Sequence, residues 1–261
     1  MPELSETPVF PSLRSRRRLS VSEKSTALLP LAEFDFSIIK KHGCEILIGV
    51  DEAGRGPLAG PVVAAAAWIP AGARPNLSCV RDSKTLSASK RLLVFRKLIS
   101  EGVRFGFGFA SAAQIDSENI LNATFKAMSC AVARLVKHLE PEQINLPEQP
   151  LCGSRCSELC ELPEILVLVD GPHKIRNFSF RQMPVVSGDA KSMSVACAGI
   201  FAKVIRDRWM DILDIRHPGY GFSKHKGYGT REHLNFLKEK GPSPVHRKTF
   251  APVKERTACG R

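Results

Sequence analysis

No stretch of this sequence approaches the ~18 consecutive apolar residues that a membrane-spanning helix needs. No segment sets a basic face against an apolar one as a membrane-surface helix does. The opening residues hold no apolar signal-peptide core. The eight cysteines, Cys44, Cys79, Cys130, Cys152, Cys156, Cys160, Cys197 and Cys259, include no Cys-x-x-Cys pair. Scattered thiols of this kind are expected to stay reduced in a cytoplasmic protein. No internal repeat is present. Acids are scarce beside bases: 26 Asp and Glu face 38 Lys and Arg, a formal charge of +12 with a pI near 9.5. That excess points to a polyanionic partner, for which nucleic acid is a better fit than an anionic membrane.

What is present can bury a sizeable core, with 261 residues of which 43% are hydrophobic. Residues 1–44 are rich in Ser, Pro and Arg, include Arg16-Arg17-Arg18, and read as a basic, disordered extension that ends in a short helix over about 31–40. Glu3, Glu6 and Glu23 argue against a transit peptide. The folded part is expected to begin near Glu45 and run to about 215, followed by a basic substrate-binding part over 216–261. That tail sets 11 Lys and Arg against Glu232, Glu239 and Glu255, a net of +8.

Apolar runs over 45–51, 62–69 and 165–169 read as buried strands. Over 103–109, Val103, Phe105, Phe107 and Phe109 alternate with Arg104, Gly106 and Gly108, which predicts a further strand with its aromatics toward the core. Three- and four-residue apolar spacing predicts helices over 87–100, with Ser87 as its cap, over 117–139 and over 192–215. Strands joined first by turns and later by helices imply an α/β fold, a mixed sheet with helices on its faces. Segment 141–163, with Cys152, Cys156 and Cys160, reads as a surface insertion, because no paired His or fourth Cys completes a zinc site.

The chemistry concentrates in carboxylates at strand ends. Ile46-Leu47-Ile48-Gly49-Val50 runs into Asp51-Glu52-Ala53-Gly54-Arg55-Gly56. Neighbouring strand residues face opposite ways, so one of the two acids falls where burial is expected, at a cost unless a cation or hydrogen bonds compensate it. Asp170 likewise closes the Ile165–Val169 run and precedes Gly171, and Asp189 follows at the entrance to the 192–215 helix. Asp189 alone would equally suit a helix cap. Asp207, between Arg206 and Arg208, reads as an ion-pair partner outside the site. Four acids with no evident basic partner in their own strands suit a hard cation, Mg²⁺ or Mn²⁺. Two such ions would support in-line phosphoryl displacement, and with the basic tail they suggest a nuclease.

The segment Asp51–Val63, DEAGRGPLAGPVV, resembles the opening motif of ribonuclease HII, the bacterial type 2 ribonuclease H. The resemblance continues through Asp82-Ser83-Lys84-Thr85-Leu86-Ser87, Val169-Asp170-Gly171, Gly188-Asp189, Ala202–Arg208, Tyr220–Thr230 and His246-Arg247-Lys248-Thr249-Phe250, in order over about 45–255. It implies a ribonuclease H-like sheet flanked by helices, with a helical C-terminal part. It also implies endonucleolytic cleavage of RNA in RNA–DNA hybrids and at ribonucleotides embedded in duplex DNA, leaving 5′-phosphate and 3′-hydroxyl ends, with roles in primer removal and ribonucleotide excision. The catalytic, metal-holding acids of the resemblance are Asp51, Glu52, Asp170 and Asp189. Gly54, Arg55 and Gly56 would read the ribose 2′-hydroxyl, Tyr228 would stack on the following deoxyribose, and Lys84 would contact a phosphate. A monomer is expected.

Three other readings compete. A dinucleotide fold is disfavoured because Pro57, Pro61 and a β-type Val62-Val63 run replace the helix that would hold a pyrophosphate. An exonuclease shares the acidic chemistry but needs a strand end. A non-catalytic nucleic-acid-binding protein leaves unexplained why four acids should face a polyanion.

Overall fold

The computed structural model describes residues 30–70, 73, 80, 86–139 and 164–258. The Cys-bearing insertion, Lys84 and residues 1–29 therefore lie outside the described residues. In chain order the elements are α1 (Pro30–His42), β1 (Ile46–Ala53), β2 (Val62–Trp68), α2 (Ala88–Ser100), β3 (Arg104–Ala110), α3 (Ala112–Glu118) and α4 (Ile120–His138). After them come β4 (Ile165–Asp170), β5 (Arg181–Val185), α5 (Gly188–Lys191), α6 (Met193–Arg216), α7 (Phe222–His225), α8 (Arg231–Lys240) and α9 (Ala251–Ala258). Among the described residues no helix is long and apolar enough to cross a membrane.

The five strands form one mixed sheet in the order β3-β2-β1-β4-β5. β1 lies at its centre, antiparallel to β2 and parallel to β4, and β2 and β3 are antiparallel while β4 and β5 are parallel. A central strand covered on both faces needs apolar side chains on both, which is why Ile46–Val50 is an unbroken apolar run. Ile46, Ile48 and Val50 face α4 and pack with Met128, Val132 and Leu135. Leu47, two residues before Gly49 and four before Asp51, faces the opposite layer and packs with Val195 of α6 and Ile38 of α1. The molecule is thus a three-layer α/β sandwich.

α6 reaches the sheet at backbone distance. A Cβ placed on Gly49 would overlap the main chain of Ser194 and Val195, so only glycine admits the helix there. The same device serves the other face. A Cβ on Gly106 or Gly108 would overlap the α4 carbonyls of Ala131 or Ala127. The glycines take the α4 side of β3, so the expected core role of the aromatics holds for Phe105 but not for Phe109. Phe105 stacks on Phe201 of α6 at 4.2 Å between ring centroids, while Phe109 is 41% exposed.

Three further differences from the sequence expectations have local causes. The helix read over 117–139 is two helices, broken at Asn119, whose φ of 69° no regular helix accepts. Its side chain then caps α4 by accepting from Leu121 and Asn122 N–H, both at 3.0 Å. β5 was not expected, having no apolar alternation. Pro184 is tolerated there because β5 lies at the sheet edge. α1 lies within the stretch read as an extension, yet it buries Leu31, Ala32 and Ile38. Its Asp35 is buried too, accepting from Ser192 Oγ at 2.6 Å and from Ser194 N–H at 2.9 Å at the start of α6. Ser87 caps α2 as expected.

The contact at Gly49 has a measurable consequence. Gly49→Ala forces α6 off the sheet and is expected to lower unfolding free energy by about 3 kcal/mol. Urea unfolding reads this directly, and a wild-type midpoint would mean that the helix does not meet the strand there.

Candidate active site

Asp51 stands on the α6 face of β1, two residues beyond Gly49, where the approach of α6 brings Gly199 so close that a Cβ there would overlap Asp51 Oδ2. Asp170 ends β4, one step past the Val50–Val169 pair of the neighbouring parallel strand. Its Oδ1 accepts from Gly188 N–H at 2.6 Å and so anchors the turn that carries Asp189. The alternative role of Asp189 as a cap of the long helix is taken by Ser192, whose Oγ accepts from Val195 N–H. Asp51, Glu52 and Asp189 line one cavity of about 280 Å³, together with Arg91, Lys203 and Tyr228.

These acids share one electric field. Burial, followed by the charges of Glu52, Asp170 and Asp189, pushes the Asp51 carboxyl well above its usual pKa. Glu52 is raised too, chiefly by burial, with Arg55 opposing the rise. Arg55 Nη1 lies 3.2 Å from Glu52 Oε1, a basic partner that comes from the turn beyond β1 and not from the acids' own strands. The close i,i+3 spacing across the glycine turn accounts for that pair. Asp207 behaves as expected, accepting from Lys203 Nζ at 2.7 Å and lying 3.7 Å from Arg91.

Among the described residues no three His, Cys, Asp or Glu side chains already stand as a finished ligand shell. The acids nevertheless fit a divalent cation by chemistry. They offer only hard oxygen donors, and positive charge there would relieve the burial and repulsion that raise the pKa of Asp51.

The glycine turn is held from beneath by two arginines that sequence reasoning quoted without a role. Arg247, 0% exposed, donates through Nη2 to Gly54 O at 2.6 Å, through Nη1 to Arg55 O at 2.8 Å, and through Nε and Nη2 to Gly60 O. Arg206, also fully buried, donates to Pro61 O at 3.0 Å and Ala59 O at 3.3 Å. Burial lowers the pKa of both, and Arg206 helps to bring Arg247 to about 9, still charged at neutral pH. Gly54 has a φ of 95°, and a Cβ there would overlap Arg206 Nε. Helical spacing could have marked Arg206, which continues the buried Ala202 and Met210 face of α6. Nothing in the local pattern marks Arg247.

Tyr228 is 46% exposed, not a buried turn aromatic, and its ring lies 6.0 Å from the Arg206 guanidinium carbon. Its Cε1 is 3.8 Å from where a Cβ on Gly56 would stand, so ring and turn border the same space. The structure therefore brings together Asp51, Glu52, Asp170, Asp189, Gly54, Arg55, Gly56 and Tyr228, while Lys84 lies outside the described residues.

Comparison with known proteins follows the same outline. The family profile described as Ribonuclease HII matches residues 48–149 and 155–253. Ribonuclease HII of Geobacter metallireducens is 43% identical over 222 residues, 85% of this chain and 91% of its own. In fold, the chain is similar to ribonuclease H2 of Pyrococcus horikoshii, with a TM-score of 0.60, 23% identity, and 82% and 98% of the two chains covered. It is also similar to Bst-RNase HIII solved in complex with Mn²⁺, with a TM-score of 0.61 at 18% identity over 93% and 79% of the chains.

The crowding of charge around Asp51 predicts a trade of stability against function. An acid whose pKa is raised on folding stabilises the fold fully only below its unfolded value, and that contribution is lost as pH rises through the raised value. In the presence of chelator, Asp51→Asn should therefore melt above wild type at pH 8, with the difference shrinking toward pH 4. An Asn variant that melts lower at pH 8 would contradict the shared field.

Proposed function

The chain belongs to the ribonuclease HII family and is a ribonuclease H that hydrolyses the RNA strand of RNA–DNA hybrids, and on that premise we propose that it also nicks duplex DNA 5′ of embedded ribonucleotides, leaving 5′-phosphate and 3′-hydroxyl ends. The observation that carries the proposal is the common lining of one cavity by Asp51, Glu52, Asp189, Gly54 of the glycine turn and Tyr228.

Asp51, Glu52, Asp170 and Asp189 would hold Mn²⁺ or Mg²⁺. A pair of such ions, when bound, lowers the pKa of an attacking water and neutralises the leaving oxygen. The chain itself supplies position. Asp170, bonded to Gly188 N–H, keeps the Asp189 turn against the end of β4. Lys203 and Arg91, tethered by Asp207, put fixed positive charge on the same wall, suited to the flanking phosphates.

Selectivity for ribose follows from peptide geometry. In a planar trans peptide the C=O and N–H point in opposite directions. Arg247 holds the carbonyls of Gly54 and Arg55 inward. The N–H groups of Arg55 and Gly56, which share those two peptide planes, are thereby turned outward as donors for a 2′-hydroxyl. The ring of Tyr228, next to Gly56, would cover the sugar on the following nucleotide and leave no room for a second hydroxyl.

The test uses a covalently closed circular duplex carrying one ribonucleotide. Wild type with Mn²⁺ or Mg²⁺ should nick it once, at the phosphate 5′ of the ribose, where an exonuclease finds no end. Asp170→Asn keeps an acceptor for Gly188 N–H and should bind the duplex with wild-type salt dependence while cleaving about 10³-fold more slowly. Near-wild-type cleavage by that variant would remove Asp170 from the catalytic set, and an uncut circle would refute the embedded-ribonucleotide activity.

A further inference from the structure

Behind Tyr228 lies a group of histidines with no part in the chemistry above. His233 and His246 are buried, at 0% and 1% exposure, with their Nε2 atoms 3.0 Å apart. His225 stacks on His233 at 4.3 Å between ring centroids and 14° between planes. Backbone groups decide where the protons are. Ser243 N–H can only donate, and it points at His246 Nδ1 from 2.9 Å, so that nitrogen is the acceptor and the proton of a neutral His246 ring sits on Nε2. His246 Nε2–H then donates to His233 Nε2, which leaves the His233 proton on Nδ1, 2.9 Å from the carbonyl oxygen of Tyr228. The chain of donors runs one way, from Ser243 through both rings to Tyr228.

We propose that His233 and His246 are positioning residues for Tyr228, forming a proton-ordered relay that fixes the aim of its ring and thereby the preference for a ribonucleotide–deoxyribonucleotide junction. This rests on the reading of Tyr228 given above. Tyr228 N–H donates to His225 O at 2.9 Å, and Tyr228 O accepts from Thr230 N–H at 2.8 Å as well as from the His233 ring. Both peptide planes flanking the Tyr228 Cα are thus held, and with them the direction of its Cα–Cβ bond. The exposed ring stands at the end of a glycine-rich turn, with Lys226 and Gly227 both at positive φ, and beyond these peptide bonds meets the Arg206 guanidinium at 6.0 Å. Burial supports the neutral assignment, holding His246 down to about 4 and lowering His233 as well. His225 satisfies its own ring locally, with Nδ1 accepting from Gly227 N–H and Nε2 donating to Tyr220 O.

The experiment compares cleavage of a duplex with one embedded ribonucleotide and of a continuous RNA–DNA hybrid, and reads the ratio of the two kcat/KM values. Tyr228→Ala should lower the ratio, and His233→Ala should lower it about tenfold in the same direction. His233→Asn retains an N–H where Nδ1 stood and should restore the ratio to within about twofold of wild type. A general loss of stability would slow both substrates alike and leave the ratio unchanged. If Tyr228→Ala shifts the ratio and His233→Ala does not, the relay is overturned and the reading of Tyr228 survives. If Tyr228→Ala leaves the ratio unchanged, that reading falls and the relay's role falls with it. Nitrogen-15 spectra of the histidines in the full wild-type chain give a check that needs no variant. They should show His246 protonated on Nε2 and His233 on Nδ1 at pH 7, and the reverse assignment or a charged ring overturns the proposal.

Discussion

The architecture depends on the contact of α6 with β1, two backbones meeting at Gly49 without an intervening side chain. A helix at ordinary distance from a sheet leaves room for a layer of side chains, and Asp51 would sit in that layer with space around it. At backbone distance there is no such layer. Gly199 of α6 meets the Asp51 carboxylate itself. The acid is thereby desolvated, and the parallel neighbour β4 delivers Asp170 beside it. Desolvation and mutual repulsion raise the pKa of Asp51, and the same two effects make the site avid for positive charge. The tight packing and the chemistry of the site are consequences of one glycine-mediated approach.

Much of this was legible in the residues. The apolar runs ending in Asp51 and Asp170 located two strands and the edge at which ligands collect, because a strand covered on both faces must be apolar throughout. The glycine turn and the acids stood out by residue type and position, and the structure gathers them. What escaped notice was decided by tertiary contact. β3 alternates phenylalanine with glycine, and hydrophobicity assigns the buried face to phenylalanine. The helix backbone of α4 covers the other face, at Gly106 and Gly108, while Phe105 packs on α6 and Phe109 stays 41% exposed. Asn119 looked like one polar residue within a helical period, although its side chain can stop one helix and cap the next. β5 carries the weak pattern of an edge strand paired on one side only. Arg247 lies in a short basic run that reads as solvated, and only the fold reveals that its fork closes on carbonyls nearly two hundred residues earlier in the chain.

That arginine changes the meaning of the basic C-terminal part. A net of +8 over 216–261 suggests a charged surface for a polyanion. Part of it is buried or paired with acids instead. Arg247 is buried against the glycine turn, Lys226 pairs with Asp211, and Lys224 pairs with Glu232. Exposed pairs of this kind contribute little to stability, typically below about 1 kcal/mol. Buried Arg247 is different, because four hydrogen bonds to carbonyls replace the water it lost and fix the peptide planes of the turn.

The segment from Ser243 to Arg247 consequently serves two ends at once. Arg247 N–H donates to Leu58 O and Gly60 N–H donates to Val245 O, which lace this segment to the loop after β1. From that fixed frame the Arg247 fork orients the peptides of Gly54 and Arg55, while the neighbouring His246 orients the carbonyl of Tyr228 through His233. Turn and ring reach the same cavity from different parts of the sequence, and both are aligned by adjacent residues of one rigid strip. Recognition of a junction between two sugars requires that the element reading the first and the element reading the second keep a constant separation. On the proposed reading, referring both to one strip would keep that separation. The elements that would meet the two sugars on that reading share this strip, whereas the acids are carried by β1, β4 and α5.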